Sequence, residues 1–199
     1  MLDKEGTKWL TARRSDTAYF CGDYALAAQW AKQVETPFYN QLAERLFNLP
    51  AEANRVVLPV GFVRQHHMTC GPATLSTISR FWGMPADHLG IAEEICYDGT
   101  PATSERGWAE QNGWTVREFT VTWESAVALI DRGIPFTLTT VEPTSAHLQA
   151  VIGYDSRLRM LIMRDPYQRH FVEAWADELL ERYRATGPRG MALVPCDQN

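Results

Sequence analysis

Gln65-His66-His67-Met68-Thr69-Cys70-Gly71-Pro72-Ala73 is the stretch that decides how this 199-residue chain is read. It closes one segment, opens a helical pattern, and puts a cysteine at the junction. Pro72 suits the first turn of a helix, where its missing N–H costs nothing and its φ is already suitable. Leu75, Ile78 and Trp82 come next at i, i+3 and i+7 with Phe81 beside them, so one face is apolar. Gly83 offers a stop. Cys70 therefore falls at or just before a helix N-terminus, where free N–H groups and the helix dipole favour a thiolate. Gln65, five residues upstream, is able to swing its amide over the same point. A side-chain amide plus the backbone N–H of a nucleophile is the layout of an oxyanion hole.

A lone cysteine is more often a small buried apolar residue. The rest of the chain argues for more. A cysteine nucleophile needs a histidine to take its proton and a third group to orient that histidine. His147 opens the strand-like run Leu148-Gln149-Ala150-Val151-Ile152-Gly153-Tyr154-Asp155. A second apolar run, Leu158 to Met163, ends in Arg164-Asp165-Pro166-Tyr167. Asp165 precedes a proline, so its backbone is expected to be extended. A hairpin through Asp155 to Arg157 would bring His147 and Asp165 to the same edge of a sheet.

These residues carry a resemblance. Gln65, Cys70-Gly71-Pro72-Ala73, His147 with Val151-Ile152-Gly153-Tyr154, and Asp165-Pro166 resemble the bacteriocin-processing type of papain-like cysteine peptidase. Members of that group cut leader peptides after a double glycine and have many stand-alone relatives. The likeness runs from about Leu58 to Pro195. It implies that Cys70 is the nucleophile, His147 the base, Asp165 the orienter and Gln65 the oxyanion residue. Papain-like enzymes often carry asparagine in place of Asp165. The resemblance implies no cofactor and leaves the substrate sequence open. The best-known members are fused to membrane transport domains, and no such segment is visible here.

Elsewhere the chain is ordinary for a globular protein. Its formal net charge is −5 and it has no basic run, which argues against a nucleic-acid partner. No stretch approaches the ~20 apolar residues of a membrane span. Met1-Leu2-Asp3-Lys4-Glu5 lacks the basic-then-apolar form of a signal peptide, so a cytoplasmic location is expected, although the chain is also consistent with a segment of a longer protein. Cys21, Cys70, Cys96 and Cys196 are widely spaced with no CxxC, and are read as reduced.

Residues 8 to 48 read as helices. The run Gly22-Asp23-Tyr24-Ala25-Leu26-Ala27-Ala28 resembles the turn and second-helix start of a tetratricopeptide repeat. The first helix, about Trp9 to Phe20, fits such a repeat poorly, and an ordinary helical extension reads equally well. A lone repeat does not bury its own apolar face, so this segment is expected to pack on the rest or to offer a surface to a protein partner. The expected division is a helical segment over 1–50 and a peptidase domain over 55–199, with a linker at Leu49 to Arg55.

After the cysteine helix, helices are expected over Pro85–Ile95, Ser104–Asn112, Trp123–Arg132 and Trp175–Arg184. Strands are expected over Val56–Val63, Trp114–Phe119, Ile134–Val141 and Met191–Pro195, with a loop from Glu142 to Ala146. Helices first and antiparallel strands later point to an α+β fold. It is expected to be papain-like, the helix carrying the cysteine packed on a sheet carrying the histidine and aspartate.

Other chemistries fit less well. His66 and His67 beside Cys70 show no zinc-type spacing, so no metal is expected. Ser145 near His147 lacks a G-x-S-x-G elbow. His88 reads as a helix-surface residue and His170 as a loop residue. The function expected is cleavage of a peptide or protein substrate by a cysteine peptidase. Two alternatives stand beside it: acyl transfer to an amine by transglutaminase-like chemistry, and a silent peptide-binding module.

Overall fold

The computed structural model describes residues 3–50 and 52–196. Met1 and Leu2, Ala51 within the expected linker, and residues 197–199 lie outside the described residues. The chain divides into two compact units, Met1–Ala53 and Asn54–Asn199.

The first unit is three helices: α1 (Lys4–Phe20), α2 (Tyr24–Lys32) and α3 (Pro37–Phe47). Each begins at a side-chain cap. Asp3 accepts from Gly6 N–H, Asp23 from Leu26 N–H and Thr36 from Tyr39 N–H. Such caps satisfy donors that a helix start leaves orphaned. Pro37 opens α3. The reason is positional: proline is tolerated in a first turn and Thr36 supplies the cap. Buried alanines on α2 (Ala27, Ala28, Ala31) let it sit closely against α1 and α3.

The second unit is built on a seven-stranded antiparallel sheet. Its strands are β1 (Arg55–Val57), β2 (Trp114–Thr120), β3 (Phe136–Glu142), β4 (Ser145–Asp155), β5 (Met160–Arg164), β6 (Val172–Trp175) and β7 (Arg189–Pro195). The order is β2-β7-β3-β4-β5-β6, with β1 paired to the far end of β4. Helices cover both faces. Ala150, Ile152, Ile162, Met191 and Leu193 point to one core with Leu75, Ile78 and Ile91. These last three come from α4 (Cys70–Phe81) and α5 (His88–Ile95), and α6 (Ala102–Gln111) adds Trp108 and Ala109. The alternate residues Val151, Leu161, Met163 and Ala192 point to a second core with Ala126 and Ile130 of α7 (Trp123–Asp131) and Ala176 of α8 (Ala176–Arg182). Burial on both faces explains why Ala150-Val151-Ile152 is apolar at every position rather than alternating. Each fully buried Leu or Ile in these layers contributes roughly 2 kcal/mol by removal from water. The α+β papain-like expectation is met.

Several boundaries differ from expectation. Of the Val56–Val63 run only Val56 and Val57 are strand, within β1, because Pro59 cannot donate to the ladder. The expected Glu142–Ala146 loop shrinks to a two-residue turn, Pro143-Thr144, so His147 lies inside β4 rather than at its start. The pairing of β4 with β5 shifts register between Val151 and Gly153. A β-carbon on Gly153 would lie 2.3 Å from the Val56 carbonyl oxygen, so the close crossing of β1 requires glycine there.

Candidate active site

Cys70 is the first residue of α4, and its N-cap, Thr69, makes no side-chain capping bond. The Thr69 hydroxyl instead accepts from His66 N–H at 2.9 Å and tightens the turn ahead of the helix. Met68 takes a left-handed backbone, φ +60°, at the apex of that turn. Cys96 Sγ donates to the Met68 carbonyl at 3.3 Å and fastens the turn from outside. No capping side chain thus takes up the first-turn donors of α4. Gly71 is held in tight quarters: a β-carbon there would sit 3.0 Å from both Glu105 Oε1 and Thr100 Cβ. Glu105 is buried, which pushes its carboxyl up to about 7 against the opposing pull of Arg189.

His147 projects from β4, where it pairs with Thr140 of β3. Its Nε2 lies 2.9 Å from Asp165 Oδ1. That contact leaves Nδ1 as the nitrogen open to Cys70, whose side chain His147 also meets in a hydrogen bond. Asp165 stands one residue past the end of β5. Its Oδ1 also accepts from Tyr167 N–H at 2.8 Å, and its Oδ2 from Gln168 Nε2 at 3.4 Å. Three polar contacts on one carboxylate leave it little freedom to turn.

The charges are set by these contacts. Burial pushes the Cys70 thiol up, but the His147 hydrogen bond and the backbone N–H groups of Leu148 and Gly71 outweigh it, and the thiol ends below its ordinary value. Burial pulls His147 down, but Asp165 and Cys70 outweigh it and raise the imidazole to about 9. Burial pushes Asp165 up, while His147, Tyr167 N–H and Gln168 hold it below its ordinary value. Opposed shifts of a thiol and its imidazole partner favour the thiolate–imidazolium pair near neutral pH.

Gln65 is tied to the same region through its backbone, whose N–H donates to the Pro166 carbonyl at 3.0 Å. Its side-chain Oε1 is buried without a donor. The four residues singled out in the sequence therefore come from two places. Gln65 and Cys70 bracket the turn before α4; His147 and Asp165 lie on β4 and just past β5.

His88 departs from expectation. It is buried, not on a helix surface, and its ring stacks on His66 at 5.2 Å and 8°. Burial lowers its pKa, and the facing His66 adds to that. Its position at the start of α5 turns it toward the turn ahead of α4, a tertiary contact that helical periodicity does not report. Sequence reasoning also misses Thr74 and the backbone of Leu148. Thr74 sits one turn beyond Cys70, and a polar side chain on the nucleophile's own helix face is the available signal. Among the described residues no group of three or more His, Cys, Asp or Glu side chains is placed to hold a metal. All four cysteines are free thiols.

The model of the peptidase C39-like family matches residues 57–191. A search of curated proteins found no match. Among solved structures, a protein described as a C39-like peptidase from Bacillus anthracis is similar at 15% identity and a TM-score of 0.59, over 71% of this chain and 98% of that one. The peptidase domain of Streptococcus ComA, a bi-functional ABC transporter involved in a quorum-sensing pathway, is similar at 21% identity and a TM-score of 0.53, over 68% of this chain and 98% of that one. A double-glycine-motif protease from an AMS/PCAT transporter, solved with a leader peptide, is similar at 15% identity and a TM-score of 0.52, over 71% of this chain and 94% of that one.

Proposed function

The chain belongs to the peptidase C39-like family and is a cysteine peptidase, and from that premise we propose that it cleaves its substrate through Cys70, His147 and Asp165, with Gln65 in the oxyanion hole. The observation that carries this reading is the unbroken contact line from Cys70 through His147 to Asp165. In this mechanism the Cys70 thiolate attacks the peptide carbonyl carbon. The carbonyl oxygen takes up the negative charge and accepts from Cys70 N–H and the Gln65 amide nitrogen. Burial of Gln65 Oε1 supports that orientation, since it leaves the nitrogen as the outward end of the amide. His147 then gives its proton to the leaving amine as the C–N bond breaks. Water, deprotonated by His147, attacks the thioester and releases the acid and the free thiol. Asp165 holds the imidazole with Nε2 turned away from the sulfur.

We assign catalysis to the second unit, and read the first as a separate helical segment that offers its surface to a protein partner. Trp9, Phe20, Phe38 and Phe47 remain exposed on it, which supports that reading. No helix among the described residues is long and apolar enough to cross a membrane. The substrate class proposed is a peptide or an unfolded protein segment, and the relative solved with a leader peptide makes double-glycine peptides the first to try.

The test is a fluorogenic peptide library, with double-glycine sequences included, run on the wild type and on Cys70→Ala. Cleavage by the wild type alone is expected. On the best peptide, kcat/KM should rise on the acid side at a pH below the ordinary thiol value, because thiolate is required. It should fall as the pH passes about 9, because His147 must be protonated. Turnover that survives Cys70→Ala overturns the assignment. Product that appears only with an added amine acceptor identifies acyl transfer instead.

A further inference from the structure

We propose that Thr74 is a positioning residue for the nucleophile, holding the Leu148 backbone by its carbonyl so that the N–H of the same residue meets the Cys70 sulfur. This rests on the assignment of Cys70 as nucleophile.

The β4–β5 ladder ends at the pair Ala150 and Arg164, and β5 itself stops at Arg164. The chain continues into Asp165-Pro166, and a proline has no N–H to offer. Leu148 therefore lies two residues past the last rung on that side of β4. Its carbonyl and N–H are nonetheless both taken, and both by α4. Thr74 Oγ1 donates to the Leu148 carbonyl at 3.0 Å. The Leu148 N–H approaches Cys70 and helps to lower its thiol. Cys70 and Thr74 are one helical turn apart and so share a face. Together they stand in for the missing strand: one accepts where a strand carbonyl would, the other donates where a strand N–H would.

The geometry makes the two contacts dependent on each other. The carbonyl and N–H belong to one residue of an extended strand, so fixing one sets the direction of the other. Thr74 is 1% exposed and Leu148 is 2% exposed, so bulk solvent does not reach the carbonyl that the hydroxyl holds. His147 is the preceding residue, and the peptide bond between it and Leu148 is the one whose N–H faces the sulfur. A Leu148 backbone that turns therefore loses a thiolate donor and moves the strand that carries the base.

The experiment compares Thr74→Val, which keeps the shape and loses the donor, with Thr74→Ser, which keeps the donor. Iodoacetamide labelling is measured residue by residue by mass spectrometry from pH 5 to pH 9, a readout that needs no substrate. The Cys70 transition in Thr74→Val should move up by about one pH unit, so labelling on the acid side of the transition slows by up to about tenfold. Thr74→Ser should stay within about twofold of the wild type. Peptide turnover should show the same order in kcat, with KM unchanged. A purely structural threonine would lower the melting temperature of Thr74→Val and leave the Cys70 profile where it was, and that result overturns the proposal. If Cys70→Ala retains full turnover, the assignment of the nucleophile fails first and this inference fails with it. If Cys70→Ala is dead and Thr74→Val labels like the wild type, only this inference fails.

Discussion

The helix starts of the N-terminal unit and the start of α4 are built to opposite specifications. At Asp3, Asp23 and Thr36 a side-chain oxygen accepts from the backbone N–H three residues on. At Thr69 the hydroxyl turns away to His66, and the helix opens uncapped onto Cys70. A cap stabilises a helix by about 1 kcal/mol. α4 forgoes it, and in the proposed mechanism its donors face an anion. A missing cap alone does not mark chemistry, since α6 and α8 also begin without a side-chain cap; what sets α4 apart is the thiol at its first residue.

The largest effect expected from probing this contrast comes from Gln65→Ala. The oxyanion would then rest on Cys70 N–H alone. Loss of one such donor costs about 10²-fold in kcat in well-studied cases, and KM should hardly change, because the charge exists only in the transition state. Steady-state kinetics on the best library peptide check it. A rise in KM at constant kcat would mean that Gln65 touches ground-state substrate instead.

Thr69→Asp is the direct attempt to erase the difference. It installs at α4 the kind of cap that Asp23 provides at α2. The new carboxylate would compete for the first-turn donors and place a second negative charge near the sulfur. The thiol should rise by about one unit, with up to about tenfold slower alkylation of Cys70 on the acid side of its transition, while the unfolding midpoint holds or increases. Faster or unchanged alkylation would show that the open helix start does not matter to the thiolate.

Asp23→Ala is the converse and the smallest effect. It removes the bond to Leu26 N–H, 3.0 Å long, and should cost about 1 kcal/mol in urea unfolding of the helical unit. Peptide turnover should not change. A loss of activity would reveal a dependence of the catalytic unit on α2 that caps alone do not predict.

Much of the site is legible in the sequence because its signals are local. Pro72, the Leu75–Ile78 spacing and Gly83 mark α4 within a single stretch of chain, and Gly83 does take a left-handed backbone, φ +72°. The order of Gln65, Cys70, His147 and Asp165 is readable from short motifs. The features that escape a sequence reading depend on contacts between distant segments. His88 looks like any polar residue at a helix start until His66 packs on it. Thr74 looks like a neutral helix residue until β5 ends short of Leu148. The turn at Pro143-Thr144 reads too long because Ser145 and Glu142 are polar, yet they face each other as the last pair of the hairpin. Polarity there marks the solvent-facing end of a ladder, not its absence.

The strand order carries a consequence for the making of the protein. β7 is the last of the described strands along the chain, yet it lies inside the sheet between β2 and β3. Synthesis runs from the N-terminus, so Cys70 leaves the ribosome long before His147 and Asp165. Even when all three are present, β3 keeps an unpaired edge until the segment from Arg189 to Pro195 threads into the gap. Such pairing between distant segments is the slow part of folding a sheet. The nascent chain therefore carries Cys70 without His147 and Asp165 beside it until those segments have emerged, and the sheet that holds them is closed last of all by β7.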